Sequence, residues 1–119
     1  MLPSRIKRVE EMMKEQIALI IQQEVKDPRL GFVTVSEVKV SKDLRNANIY
    51  IIAHDETEEH INDVLKGLEA ASGFIRHLLG QRMALRFLPL LKFHYDKAFQ
   101  QADRIEKLIR KIHTDEKSE

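Results

Sequence analysis

The amino-acid sequence predicts an α+β fold, in which a mixed three-stranded sheet has helices packed on one face. Four segments repeat apolar residues at spacings of three and four, as helices do, and three alternate apolar and polar residues, as strands do. Their order along the chain is α-β-β-α-α-β-α. The 119 residues are 43% hydrophobic and 33% charged, which suits one domain at residues 1–113 with a short polar tail at 114–119.

The first helix is indicated by apolar residues at helical spacing between Ile6 and Ile20. Ser4 is expected to cap its N-terminus. The residue before a proline avoids the α conformation, so Pro28 should end the helix near Lys26. Three further apolar residues are expected to widen its buried stripe: Met12, Leu19 and Ile21.

The first two strands are predicted at residues 32–40 and 47–53, joined by a hairpin connection at residues 41–46. The valines of the first strand change parity part-way along it. One extra residue in a strand has this effect, so we expect a β-bulge near Ser36 and Glu37.

The helical region between residues 55 and 80 is predicted to form two helices. Acidic residues occupy its first turn, where the helix dipole favours them. A glycine inside a helix costs about 1 kcal/mol relative to alanine. We therefore expect an interhelical kink or break at Ala71-Ser72-Gly73, and Gly80 should end the second helix.

The third strand is centred on residues 90–95, because Pro89 confines the residues before it to an edge, a bulge or a loop. Apolar residues at odd positions here are interpreted as core rather than as base-stacking aromatics: Leu85, Phe87, Leu91, Phe93 and Tyr95. A last helix begins near Lys97. Its apolar residues share one side: Phe99, Ala102, Ile105, Leu108, Ile109 and Ile112.

Composition argues against several classes of protein. The absence of cysteine excludes disulfides and thiolate metal sites and suits a cytoplasmic location. The N-terminal residues have no apolar segment, so we expect no signal peptide. The longest apolar run, Ile17–Ile21, is far shorter than the roughly 20 residues needed to span a membrane. The histidines lack zinc-protease spacing and no nucleotide-binding or hydrolase motif is present, so we expect no enzyme, metal or cofactor.

The net charge of +1 conceals separated basic and acidic segments. Residues 1–8 and 76–97 are basic, whereas residues 55–69 are acidic. Such a chain can present a basic face to a polyanion, or it can carry solvated charge that has no partner.

Four motifs follow one another along the chain: Asp27-Pro28-Arg29-Leu30-Gly31, Val38-Lys39-Val40-Ser41-Lys42-Asp43-Leu44, Ala71-Ser72-Gly73-Phe74-Ile75-Arg76 and Leu85-Arg86-Phe87-Leu88-Pro89-Leu90-Leu91-Lys92-Phe93-His94-Tyr95-Asp96. In this order and spacing they resemble the ribosome-binding factor A family, from about residue 4 to residue 113. The resemblance implies a KH-like type II domain in which the Ala71-Ser72-Gly73 kink replaces the GXXG loop that clamps nucleic-acid backbone.

The resemblance also implies a function. A member of this family would be a monomeric, non-catalytic protein that binds the free, immature 30S small ribosomal subunit and its 16S rRNA. It would assist late maturation, including rRNA processing, and cold adaptation. The resemblance further implies that, as in many bacteria, an assembly GTPase would promote its release.

The candidate RNA contacts begin at the kink. Gly73 lacks a Cβ, so a sugar–phosphate chain could approach closely, and a helix starting there would favour a phosphate. Arg76 lies one turn after Ser72, and Arg76→Glu is expected to weaken ribosome binding with little change in thermal midpoint. The remaining candidates are basic residues: Arg82, Arg86, Lys92, Lys42, Arg45, Arg5, Lys7 and Arg8. Alternatively, Gly73 only lets two helices pack at an angle, and each cation is ordinary solvated charge.

Two other classes of function remain open. A protein-binding scaffold would use the acidic second helix without touching RNA, and its binding would depend little on salt. A small hydrolase or metal enzyme would hold a bound ion. RNA binding instead predicts affinity that falls steeply with salt, because each phosphate contact releases counterions.

Overall fold

Three helices and three strands are formed within residues 3–117, the part of the chain that the computed structural model describes; side chains are described for residues 5–114. In chain order these elements are α1 (Pro3–Gln23), β1 (Val33–Val40), β2 (Asn46–Ala53), α2 (Glu58–Arg82), β3 (Leu90–Tyr95) and α3 (Lys97–Lys117). Residues 1–2 and 118–119, at the ends of the predicted domain and tail, lie outside the described residues.

The sheet is mixed, as predicted. β2 is its central strand, paired antiparallel with β1 and parallel with β3. The register of β1 on β2 shifts between Val35 and Glu37, which confirms the predicted β-bulge and places it at Ser36. Because of the bulge, Val35 and Val38 are both buried although their sequence parity differs.

The core lies between one face of the sheet and the two helices α1 and α2. β2 contributes Ile49 and Ile51, and α1 contributes Ile17 and Ile20, all of them with no exposed surface. The alternating pattern of β2 is the strongest in the chain, since every odd-numbered residue from Ala47 to Ala53 is buried. The predicted α+β class is therefore confirmed.

The stripe of α1 is narrower than predicted. Ile21 is buried, but Met12 and Leu19 are exposed. At 3.6 residues per turn, Met12 and Leu19 lie roughly 140° and 160° around the helix from the fully buried Ile17. Their hydrophobicity therefore does not bring them to the core.

The ends of α1 also differ from the prediction. The helix begins at Pro3, so Ser4 lies inside it, and it ends at Gln23, three residues before Lys26. The backbone N–H groups of Glu24 and Val25 both donate to the Ile20 carbonyl, at 2.8 and 3.2 Å, which closes the last turn early. Pro28 prevents the helix from continuing past the residues just before it, but it does not prevent the helix from ending earlier.

The two predicted central helices are joined in one continuous helix, α2, which runs through Ala71-Ser72-Gly73 without a break. Four of its large side chains are buried: Val64, Leu68, Ile75 and Leu79. Their spacings of four, seven and four keep them on a single helical face across Gly73. Packing of that face outweighs the cost of about 1 kcal/mol for one internal glycine.

Gly80 does not end the helix, contrary to the prediction. α2 continues to Arg82, and Met83 follows as its C-cap. A Cβ added at Gly80 would lie 2.7 Å from Cδ1 of Leu88. The glycine therefore allows the segment between α2 and β3 to pack closely against the helix.

α3 lies apart from the core, which the sequence did not predict. Its large apolar residues are about half exposed: Phe99 (46%), Ile105 (53%), Leu108 (60%), Ile109 (51%) and Ile112 (51%). A three-stranded sheet is roughly 15 Å wide, and two helices of about 10 Å diameter cover it. Because α1 and α2 already occupy the core face, α3 has no room there. It continues as helix to Lys117, so the predicted tail boundary after residue 113 falls within it.

Candidate nucleic-acid interface

Three segments that carry predicted basic contacts meet at one end of the molecule: the start of α1, the hairpin between β1 and β2, and residues 83–89. Val9 of α1, Leu44 of the hairpin and Arg86 of the 83–89 segment line one cleft. Arg45 and Phe87 line the adjoining depression. We call this region the basic end, and its cations are Arg5, Lys7, Arg8, Lys42, Arg45 and Arg86. All six are exposed, and none forms an ion pair with another described residue.

The hairpin that carries Lys42 and Arg45 is held by a local network. The Asp43 carboxylate accepts hydrogen bonds from the Ser41 hydroxyl at 2.7 Å and from the backbone N–H of Arg45 at 3.1 Å. These two hydrogen bonds hold the pKa of Asp43 below its ordinary value, and the bond from Ser41 has the larger effect. Leu44 adopts a left-handed φ of 62°, so the turn is tight and both cations stay at its surface.

The hairpin and the 83–89 segment are also joined by the backbone. The N–H of Leu90, the first residue of β3, donates to the Arg45 carbonyl at 2.8 Å. At the other side of the cleft, the Glu10 carboxylate of α1 accepts the N–H of Val40 at 2.7 Å. These bonds connect the three segments that carry the cations of the basic end.

Arg76 is half-buried and its guanidinium is already occupied. Nη2 donates to the Leu88 carbonyl at 2.8 Å, and Nε donates to the Pro89 carbonyl at 3.0 Å. The residue therefore anchors the 83–89 segment to α2. From the sequence we predicted that Arg76 contacts a phosphate. Helical spacing places the residue on one side of the helix, but it does not show which groups its side chain bonds to.

The kink residues lack the free backbone groups that the sequence interpretation required. Because α2 is continuous, no new helix N-terminus is formed at Gly73. The Ser72 hydroxyl donates to the Glu69 carbonyl of the preceding turn at 2.8 Å. Ala71 is half-buried, and Gly73 is exposed with no atom within 4 Å of an added Cβ. Gly73 therefore has no packing role, and its surface is open to a large partner.

Phe87 is 72% exposed, so its predicted place in the core is wrong, whereas Tyr95 is buried and Phe93 half-buried. The 83–89 segment is not a strand, so strand parity does not apply to it. The Arg86 guanidinium lies 5.5 Å from the centroid of the Phe87 ring. Pro89, two residues later, was the feature of the sequence that indicated a loop here. Its side chain is buried.

The other two basic candidates lie away from the basic end. Arg82 contacts the Glu24 carboxylate at 3.8 Å, just beyond the C-terminal end of α1. Lys92 is exposed in β3 and pairs in register with Asn48 of β2, on the sheet face opposite the core. The structure thus brings together the segments that carry six of the basic candidates, whereas Arg82 and Lys92 lie elsewhere.

Among the side chains of residues 5–114, no three from His, Cys, Asp or Glu are grouped so that they could hold a metal ion. Within residues 3–117, no helix is long and apolar enough to cross a membrane.

A family model described as Ribosome-binding factor A matches residues 5–109. The chain belongs to the ribosome-binding factor A family. It is 43% identical over 109 residues to Ribosome-binding factor A of Staphylococcus carnosus, with 92% of this chain and 94% of the relative covered. It is 38% identical over 115 residues to the protein of that name from Halothermothrix orenii, with 97% and 93% covered. The resemblance seen in the four motifs is confirmed.

Solved structures of the family share the fold. The crystal structure of ribosome-binding factor A from Thermus thermophilus superposes with a TM-score of 0.67 at 32% identity, covering 76% of this chain and 94% of that one. A homology model of the Thermus thermophilus protein, fitted into a cryo-EM map of a 30S–RbfA complex, gives a TM-score of 0.64 at 33% identity. It covers 76% of this chain and 93% of the fitted one.

Proposed function

We propose that this protein is a non-catalytic, cytoplasmic ribosome-binding factor that binds the free, immature 30S subunit through its 16S rRNA. In this role it assists late maturation, including rRNA processing, and adaptation to cold. It acts as a monomer, and an assembly GTPase promotes its release. Membership of the family supports the proposal, as does the Thermus thermophilus relative that was fitted into a map of a 30S complex.

The basic end is the observation that carries the proposal for RNA contact. Three segments distant in sequence bring six exposed cations, none of them ion-paired with a described residue, to one end of a chain whose net charge is only +1. Lysine and arginine at such a surface bind phosphates, and each contact releases condensed counterions. Phosphate contacts position a protein on RNA without reading its sequence, so RNA shape would determine the specificity.

The other candidates have different roles in this proposal. Arg76 supports the 83–89 segment that presents Arg86, so it acts through that residue. Ala71-Ser72-Gly73 remains a proposed site of close backbone approach, because nothing in the described chain covers Gly73. Arg82 and Lys92 are proposed as contacts outside the basic end.

Sedimentation with small ribosomal subunits from a maturation-defective strain tests the proposal. We expect binding to free small subunits, no binding to full ribosomes, and a large loss of binding between about 50 and 200 mM salt. Two triple variants with the same charge change sharpen the test. The first reverses cations of the basic end: Lys42→Glu, Arg45→Glu and Arg86→Glu. The second reverses exposed cations elsewhere: Lys26→Glu, Lys66→Glu and Lys111→Glu.

The first triple variant should lose binding, and the second should retain most of it. Equal losses would mean that net charge, rather than the basic end, drives association. Binding by the wild type that is insensitive to salt would favour the protein-scaffold alternative through the acidic start of α2. A folded protein that fails to bind small subunits at either salt concentration would contradict the proposed function.

A further inference from the structure

The face of the sheet opposite the core carries an ordered set of polar and aromatic side chains. Residues that are paired across β1, β2 and β3 share a face of the sheet. The register therefore defines two adjacent rows across the strands: Lys39, Asn48 and Lys92 in the first, and Glu37, Tyr50 and His94 in the second. We call these six residues the open-face patch. The helices α1 and α2 lie on the other side of the sheet.

Two rings at the centre of this patch are held in a defined arrangement. The Tyr50 and His94 ring centroids lie 5.3 Å apart, with an interplanar angle of 31°. A hydrogen bond of 2.8 Å joins Nε2 of His94 to Oδ1 of Asn48 and fixes the imidazole orientation. The Tyr50 hydroxyl has no hydrogen-bond partner among the described residues. Tyr50 and His94 line a shallow concave surface together with Glu37 and Lys39.

Cations flank the rings on both outer strands. Lys39 on β1 and Lys92 on β3 are exposed, and two strand spacings place their backbones roughly 10 Å apart. Lys92 has no ion pair with a described residue, and Lys39 lies 3.9 Å from the Glu37 carboxylate, whose negative charge it offsets. The patch thus combines ring faces with Lys92 on β3 and, on β1, an exposed Lys39–Glu37 pair at 3.9 Å, which is weak enough for a phosphate to compete for Lys39.

We propose that the open-face patch binds unpaired bases of single-stranded RNA, with one or two bases stacked on Tyr50 and His94 and the flanking phosphates contacting Lys39 and Lys92. Sheets that expose aromatic rings bind single-stranded RNA in this way, and stacking tolerates any base because every base has a π-face. The inference rests on the proposed RNA-binding function, but it assigns a site separate from the basic end. The two sites would hold different parts of the RNA: the basic end the phosphate backbone, and the patch an exposed single strand.

A pair of oligonucleotides tests the proposal on the full chain. One is a single-stranded RNA of about eight nucleotides, and the other is an abasic strand of equal length and charge. The wild type should bind the base-bearing strand about 5- to 150-fold more tightly than the abasic strand. Tyr50→Ile keeps a residue that favours strands but removes the ring, so it should lower this preference several-fold while the His94 ring remains. Tyr50→Phe, the matched control, keeps the ring and should retain the preference.

Tyrosine fluorescence gives a second measurement that needs no variant. The chain has two tyrosines and no tryptophan, and Tyr95 is only 7% exposed. Stacking of a base on Tyr50 should therefore quench the more accessible tyrosine emission, whereas the abasic strand should not. Saturation without quenching, or equal affinity of the wild type for both strands, would overturn the proposal.

The design also separates this site from the basic end. The triple variant Lys42→Glu, Arg45→Glu and Arg86→Glu should weaken binding of both strands by a similar factor and leave their ratio unchanged. Loss of subunit binding by that variant alongside a wild type that shows no base preference would leave the proposed function standing and refute the open-face patch. If the wild type prefers the base-bearing strand but does not bind small subunits, the open-face patch is supported and the proposed function is refuted.

Discussion

Arg76 donates a hydrogen bond of 2.8 Å to the carbonyl of Leu88, and its Nε donates a second, of 3.0 Å, to the carbonyl of Pro89. The segment held by these bonds carries Arg86 and the exposed Phe87 to the basic end. Arg76 therefore holds in place the segment that carries Arg86 and Phe87.

Arg76→Met should lower the free energy of unfolding by about 1–3 kcal/mol, because it leaves two carbonyls without their charged donor. The sequence-based expectation, made without these hydrogen bonds, was that a charge reversal at Arg76 leaves the thermal midpoint nearly unchanged. Denaturant unfolding is the measurement, and Arg86→Met is the matched control, expected to change stability by no more than about 0.5 kcal/mol. Equal stability of the two variants would show that the Arg76 hydrogen bonds carry no net energy.

Gly73→Ala should stabilise the protein by up to about 1 kcal/mol, since an alanine is favoured in a helix and its Cβ would meet no atom within 4 Å. Gly80→Ala has the same helical gain, but its Cβ would lie 2.7 Å from Leu88. The difference in stability between the two variants, about 1–3 kcal/mol in favour of Gly73→Ala, measures that clash.

The same Gly73→Ala variant tests the kink as a contact site. If RNA backbone approaches Gly73 closely, the added methyl group should obstruct it. The variant should then bind small subunits more weakly than the wild type although it is more stable. Sedimentation at fixed salt measures the effect. Undiminished binding by the stabilised variant would remove Gly73 from the interface.

Asp96 caps α3 and also connects it to the bulge of β1. Its Oδ1 accepts the N–H of Phe99 at 2.9 Å, and its Oδ2 accepts the Ser36 hydroxyl at 2.7 Å. Asp96→Ala should lower the stability of the α3 N-terminus by about 1 kcal/mol, because it removes the capping carboxylate. Because α3 lies apart from the core, hydrogen exchange should accelerate in its first turns while the amides of β2 remain protected. Ser36→Ala removes the hydroxyl that contacts Asp96 and the Tyr50 carbonyl but keeps the bond from the Phe99 N–H to Asp96, so it should leave the first turns of α3 protected.

Asp43 should make the hairpin sensitive to acid. Hydrogen bonds from Ser41 and then from the Arg45 N–H lower the pKa of this carboxyl below its ordinary value of 3.8. A carboxyl whose pKa is lower in the folded state than in the unfolded state stabilises the fold. This stabilisation is fully present at a pH above the unfolded-state pKa, and it is lost as the pH falls through the folded-state pKa. NMR titration should show the hairpin amides of residues 41–46 shifting below pH 3.8, and Asp43→Asn should abolish that transition. A midpoint at or above 3.8 would contradict the network.

Much of the fold follows from local patterns. The alternation in β2 depends on a period of two that only strands have, and the parity change of the valines in β1 revealed the bulge at Ser36. Pro89 limited the residues before it to an edge, a bulge or a loop, and β3 begins at Leu90. The family motifs and the two basic segments at residues 1–8 and 76–97 were also evident in the sequence. These features need only neighbouring residues and intrinsic backbone preferences.

Features that depend on contacts between distant segments were not predictable in this way. The continuity of α2 through Gly73 results from the burial of one face against the sheet, and the exposure of α3 results from two helices already covering that sheet. The carbonyl partners of Arg76, the meeting of three basic segments and the cross-strand rows around Tyr50 and His94 are likewise non-local. Local sequence sets which residues can be helical, extended or charged, whereas packing determines which surfaces are occupied and which remain open to a partner.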